Sequence, residues 1–165
     1  MPIYMGIFEK PNVLDKAFRG EVKAKGYEGW IELESAQVGQ SRNVTNPTGR
    51  GSYRGASAPS VQEIMVTKAQ DVVSTALFKA SLDGTGKLIV IAFVKQDGTT
   101  SMKMVLQNTL FSSLTVSGHG GGTHGQPMES LALNFSNITY EMAPRSPDTT
   151  HSQMYELRQL RQRSM

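Results

Sequence analysis

The sequence contains no cysteine, which removes disulfides, thiol catalysis and cysteine-held metal at once. A chain without thiols is indifferent to redox poise, so this absence fixes no compartment. Long apolar runs are missing too. The longest, Leu88 to Val94, is seven residues, against the roughly 20 that a membrane-spanning helix needs. Met1-Pro2-Ile3-Tyr4-Met5 has no basic region ahead of an apolar stretch. No cleaved signal peptide is therefore expected, and the chain reads as a soluble product of the cytosol with no membrane insertion.

Charge is also scarce, at 19% of residues. The net +3 is unevenly spread: residues 144–165 hold Arg145, Arg158, Arg161 and Arg163 against Asp148 and Glu156, leaving +1 for residues 1–143. A near-neutral body is a poor electrostatic footprint for nucleic acid. Aromatic residues stand at 7% with one tryptophan and no interleaving with basic residues, so no base-stacking platform is evident. No nucleic-acid partner is expected.

What remains is 165 residues, 38% of them hydrophobic, with 16 glycines. That length suits one domain, and the composition suits a sheet-rich domain with many turns rather than a coiled coil or a disordered chain. Period-two alternation dominates. Ile3, Met5 and Ile7 alternate with Tyr4, Gly6 and Phe8. Trp30-Ile31-Glu32-Leu33-Glu34 sets Ile31 and Leu33 inward and the glutamates outward, as in a half-solvated strand. Further strands are expected over Val61–Lys68, Lys87–Lys95, Ser101–Gln107, Thr109–Ser117, Leu131–Phe135 and around Ile138 and Tyr140. Lys87–Lys95 is apolar on both faces between its lysines, which predicts a strand covered on both sides. Seven or so strands with turns such as Asp97-Gly98 point to a mainly β barrel or sandwich.

One helix is expected. Thr67-Lys68-Ala69-Gln70 has capping-box form, Val73, Ala76, Leu77 and Ala80 recur at helical spacing, and Gly84 stands where a left-handed cap ends such a helix. Two stretches lack periodicity. Residues 41–60, rich in glycine, serine, asparagine and arginine, read as a long functional loop, and residues 117–127 form a glycine-rich connection. Beyond Met142 the pattern dissolves, and Met154, Leu157 and Leu160 predict one short helix in a C-terminal extension over 144–165.

Chemistry is hard to nominate. His119 and His124 share a glycine-rich loop with no acidic residue closer than Glu129, and His151 stands far off. A zinc site needs three or four placed ligands, so no metal is expected. Gly84-Thr85-Gly86-Lys87 fails as a phosphate loop because Ser81 and Leu88 occupy two required positions. Glu32 and Glu34 read as a solvated or interface face, and no nucleophile elbow occurs. Asn43-Val44-Thr45 and Asn137-Ile138-Thr139 are glycosylation sequons by pattern alone. Neither a catalytic residue nor a cofactor is expected. The tail arginines fit a solvated helix end, whereas Arg42, Arg50 and Arg54 have no acidic neighbour in sequence.

Four motifs, taken in order, resemble the haemolysin-coregulated protein (Hcp) family, the tube subunit of bacterial type VI secretion. They are Gly29-Trp30-Ile31-Glu32-Leu33, then Val66-Thr67-Lys68 leading through Asp71 and Ser74, then Leu110 to Gly118, and finally Pro127 to Phe135 with Ile138. The resemblance runs from about Ile3 to Met142. It implies a small β-barrel of two packed antiparallel sheets with one flanking α-helix over residues 1–143, assembling as a hexameric ring. Rings would stack into a tube that carries effector proteins in its lumen, with a sheath around it and a spike at its tip. The protein would be cytoplasmic before assembly and then secreted without a signal peptide. Residues 41–60 would reach a neighbouring ring, making Arg42, Arg50, Tyr53 and Arg54 inter-ring contacts. By family position Gln37 would face the channel, with Ser35 its neighbour on the same strand face. The alternative from the residues alone is a monomeric β-barrel holding a small ligand or a protein partner.

Overall fold

The computed structural model describes residues 1–38, 63–120 and 125–143, with backbone alone for the strands at 40–41, 44–45, 55–56, 60–61 and 153–158. In chain order the elements are β1 (Ile3–Lys10), β2 (Val13–Leu14), a 3-10 turn (Lys16–Phe18), β3 (Ile31–Leu33), β4 (Ser35–Gln37), β5 (Gln40–Ser41), β6 (Val44–Thr45), β7 (Gly55–Ala56), β8 (Ser60–Val61), β9 (Ile64–Ala69), α1 (Ser74–Ser81), β10 (Lys87–Val94), β11 (Thr100–Ser117), β12 (Met128–Asn134), β13 (Asn137–Met142) and β14 (Gln153–Arg158). The protein is mainly β, with a ten-stranded antiparallel sheet and, among the described residues, one α-helix.

Two stretches change partners part-way. The first half of β11 pairs with β10 and β13, and its second half, from Leu110, pairs with β12. The turnover sits at Asn108, whose φ of 49° bends the strand. Asparagine enters that left-handed region more readily than most residues, and Asn108 Nδ2 donates to Ser136 Oγ at 2.9 Å. The sequence reading expects two strands here, and the structure makes them one of 18 residues. Residues 31–37 behave likewise: β3 pairs with β1, β4 pairs with β9, and Glu34 between them donates its N–H to Thr67 O at 2.8 Å. The pairs β3–β1–β10–β11–β12–β9–β4 therefore return to the stretch they started from.

Alternation places the core. Met5, Ile7, Ile31, Ile89, Ile91, Leu106, Leu131 and Leu133 are fully or almost fully buried and share one cluster with Leu77 of α1. β10 is buried on both faces, as its lysine-bracketed run predicts: Val90, Ala92 and Val94 are shielded as well as Ile89 and Ile91. On the outer side of β1, Trp30 packs edge-on against Phe8 and Tyr27, with ring centroids 5.5 and 5.1 Å apart. Gly6 lies beneath them, where a Cβ would come within 2.7 Å of the Phe8 ring and 3.0 Å of Trp30. Only glycine lets the indole settle so close to the strand.

Three local expectations are corrected. Thr67-Lys68-Ala69 belongs to β9 rather than to a helix cap, because its backbone groups are taken by the ladder to β12. The reciprocal cap forms four residues on: Asp71 Oδ1 accepts from Val73 N–H at 3.1 Å, and Ser74 Oγ accepts from Asp71 N–H at 3.0 Å. At the other end of α1 no left-handed glycine is used. Leu82 and Asp83 donate to Lys79 O and Ala80 O, and Asp83 then turns the chain by accepting from Thr85 N–H at 3.1 Å. Finally, the helix expected around Met154, Leu157 and Leu160 is replaced over Gln153–Arg158 by β14, antiparallel to β13. Met154, Leu157 and Leu160 fit helical spacing, but the free edge of β13 offers a ladder to residues 153–158.

Within residues 40–61 the described backbone forms two short strand pairs. β5 pairs with β8 and β6 with β7, so the outgoing and returning backbones run beside each other.

Candidate functional site: an uncharged sheet face

β4, β9, β12 and the second half of β11 lie side by side, and their register sets side chains in rows. Ser35 stands opposite Thr67, Thr67 opposite Ser130, and Ser130 opposite Thr115. In the next row Gln37 faces Met65, Met65 faces Ala132, and Ala132 faces Ser113. Successive residues of a strand point to opposite sides, so all of these share one face. Gln37, Met65, Ser113 and Thr115 are exposed, and Ser35, Thr67 and Ser130 half-buried. Ser35 Oγ and Thr67 Oγ1 are hydrogen-bonded at 2.6 Å.

The other face is core: Ile64, Val66, Leu131 and Leu133 are 0% exposed. In these four strand segments the only ionisable residues are Lys68 and Glu129, and both point inward. Lys68 is 0% exposed and donates to Glu129 Oε2 at 2.8 Å, Asp71 Oδ1 at 2.9 Å and Ala69 O at 2.8 Å, with Ser74 Oγ at 3.4 Å. Every proton of the ammonium has a partner, which is the condition on which a buried charge is tolerated. The same cluster ties the first turn of α1 to β9 and β12. Apolar residues still fill the inner side, but charge ordinarily sits outside, and in these segments the buried side carries the one charged pair and the exposed side carries none.

Such a face has no acid, base or nucleophile activated by a neighbour. It offers hydroxyls, an amide and thioethers, which is contact chemistry. Among the described residues no group of three or more histidine, aspartate or glutamate side chains is placed to hold a metal ion. His119 is exposed, and His124 and His151 lie outside the described residues.

Residues 4–142 match the family model for "Type VI secretion system effector, Hcp". The chain belongs to the Hcp family. Among solved structures, Hcp fold-mates span nearly the whole chain. A type six secretion system protein aligns at a TM-score of 0.76 and 20% identity, over 94% of this chain and 91% of its own. Hcp1 from Salmonella typhimurium aligns at 0.72 and 17%, over 95% and 93%. Hcp1 from E. coli EAEC 042 aligns at 0.74 and 17%, over 96% and 99%. At such identities the likeness is one of fold. A comparison with curated protein sequences finds no match.

Of the residues expected to serve the Hcp assembly, the structure brings Ser35 and Gln37 together on this face. Arg42, Arg50, Tyr53 and Arg54 lie outside the described residues. Sequence reasoning missed Met65, Thr67, Met128 and Ser130 as their neighbours, and missed the Lys68–Glu129 pair behind them. The available signal was that four alternating segments carry so little charge.

A groove lies elsewhere on the molecule. With a volume of about 840 Å³, it runs over Phe8, Trp30, Leu88, Val90 and Val105, with Lys103 and Lys25 at its border. It is on the surface, outside the filled core.

Proposed function

We propose that this chain is the tube subunit of a type VI secretion system, closing its strand circuit into a two-layered barrel and assembling as a hexameric ring. In this reading residues 1–143 form the barrel, and the extension over 144–165 contributes β14 to its β13 edge. The uncharged face of β4, β9, β12 and β11 lines the channel, with Ser35 and Gln37 in its wall and effector proteins as its cargo. The single observation that carries the reading is that face. A solvated outer surface accumulates charge, whereas a wall that many different proteins must enter and leave is served by small neutral side chains. Ring contacts of this kind are heterologous and closed, and stacking repeats a second heterologous contact that stays open. Arg42, Arg50, Tyr53 and Arg54, on the excursion between β4 and β9, supply that stacking contact. Sheath and spike proteins are the remaining partners, and the protein leaves the cytoplasm by this route.

The rival reading, a monomeric barrel with a ligand inside, needs an open interior. The described core positions are instead occupied by tightly buried isoleucine, leucine and methionine side chains.

Size-exclusion chromatography with negative-stain imaging tests the proposal. Rings are expected, and an isolated 18.0 kDa particle at every concentration would reject it. Because the chain has no cysteine, a Gln37→Cys variant places one thiol in the proposed wall. In stacked rings it should react with a small maleimide and resist one joined to a bulky polymer.

A further inference from the structure

We infer that the uncharged face recognises its protein cargo by apolar contact rather than by charge, through Met65, Leu110 and Met128. The inference rests on the reading of this face as a channel wall, and adds to it the chemistry of what the wall binds. Met65, Leu110 and Met128 are 40%, 37% and 36% exposed. Leu110 stands opposite Asn134 and Met128 opposite Ser117, on the side shared with Ser130 and Met65. These long side chains rise from a floor of serine, threonine and alanine. At the margin Glu63 accepts from Asn134 Nδ2 at 3.2 Å, and Glu34 precedes Ser35.

Electrostatics select the partner. A strongly acidic or basic segment laid on this face would lose hydration and meet no opposite charge, which disfavours it. A segment of low charge with protruding apolar side chains loses little and gains contact. Methionine is unbranched and polarizable, so it adapts to apolar shapes of many kinds. Each copy contributes a weak contact, and a ring multiplies it by holding several copies around one cargo.

The test uses fluorescence anisotropy of synthetic peptides on the assembled full-length protein. One peptide carries leucines among serines and glutamines, and its three counterparts replace the leucines by serine, lysine or glutamate. The leucine peptide should bind. Its affinity should change by less than about twofold as ionic strength rises from about 0.1 M to about 1 M, over which the screening length falls from about 10 to about 3 Å. The other three should not bind, and Met65→Ser with Met128→Ser should weaken the leucine peptide by about tenfold or more. Leu110→Ser provides an independent variant at a third exposed position.

Four results would overturn the inference. They are binding of a charged peptide that collapses with salt, no binding of the leucine peptide, equal binding by the variants, or a self-association that the methionine substitutions remove. The last would assign the face to a second copy. Size exclusion on the same samples keeps the two readings apart. A non-ring protein that binds leucine peptide through these methionines would reject the channel and keep the contact chemistry. Rings that bind only charged peptides would do the reverse.

Discussion

Lys68 Nζ and Glu129 Oε2 lie 2.8 Å apart at directly opposed positions of β9 and β12, both shut away from water. Asp71, at the entrance to α1, shares the same ammonium at 2.9 Å. One cation thereby fastens two strands and a helix.

Removing that cation leaves two carboxylates without their partner, one of them buried. Lys68→Met should lower the free energy of unfolding by about 3–5 kcal/mol. Adding Glu129→Leu, which removes the stranded charge, should recover a large part of the loss. Urea denaturation of the single and double variants measures both effects. A single variant as stable as the parent would remove the cluster's structural role.

α1 covers the core with one side only. Leu77 is 0% exposed and Phe78, its neighbour in sequence, is 56% exposed. Leu77→Asp should cost about 4 kcal/mol or more by burying an unpaired carboxylate, whereas Phe78→Asp should stay within about 0.5 kcal/mol of the parent. Thermal melts of the pair decide it, and a Leu77→Asp protein of unchanged melting temperature would contradict the packing described above.

The turn between β10 and β11 carries a pH signature. Asp97 Oδ1 accepts from Thr99 Oγ1 at 2.6 Å and from Thr99 N–H at 2.9 Å. These bonds, the hydroxyl first, hold the carboxyl below its ordinary value of 3.8. A carboxyl depressed in the native state stabilises the fold above its unfolded value, and that contribution is lost as pH falls through the lower native one. Thr99→Val should raise the Asp97 titration midpoint toward 3.8, as read by NMR. The stability gap between parent and variant should be full near neutrality and should shrink in acid. A gap that widened in acid would reverse the sign and refute the assignment.

Much of this architecture was legible because burial repeats with the period of the strand. The lysine-bracketed run of β10 and the Ile31/Leu33 alternation of β3 needed no tertiary information. The failures share a cause. Thr67 and Gln70 satisfy the residue types of a capping box, but the ladder from β9 to β12 claims the backbone first, and the cap moves on to Asp71 and Ser74. Asn108 reads as a break between two strands, yet a residue at ease in the left-handed region can bend a strand without ending it. The C-terminal leucines fit helical spacing, and the free edge of β13 draws residues 153–158 into a strand instead. The candidate face was half legible. Ser35 and Gln37 came from family position, while Met65, Thr67, Met128 and Ser130 join them only once cross-strand register is known. Lys68 could not be placed from sequence, because a lysine in an alternating strand reads as solvated until its partners are seen.

β11 is one unbroken backbone running through both halves of the sheet, and residues 31–37 cross between them with a single residue to spare. Sliding one half over the other therefore means distorting peptide geometry, not merely exchanging one set of ladder bonds for the next. A push delivered to either half is handed on through covalent bonds, which makes the unit stiff in the direction in which a hydrogen-bonded seam would shear.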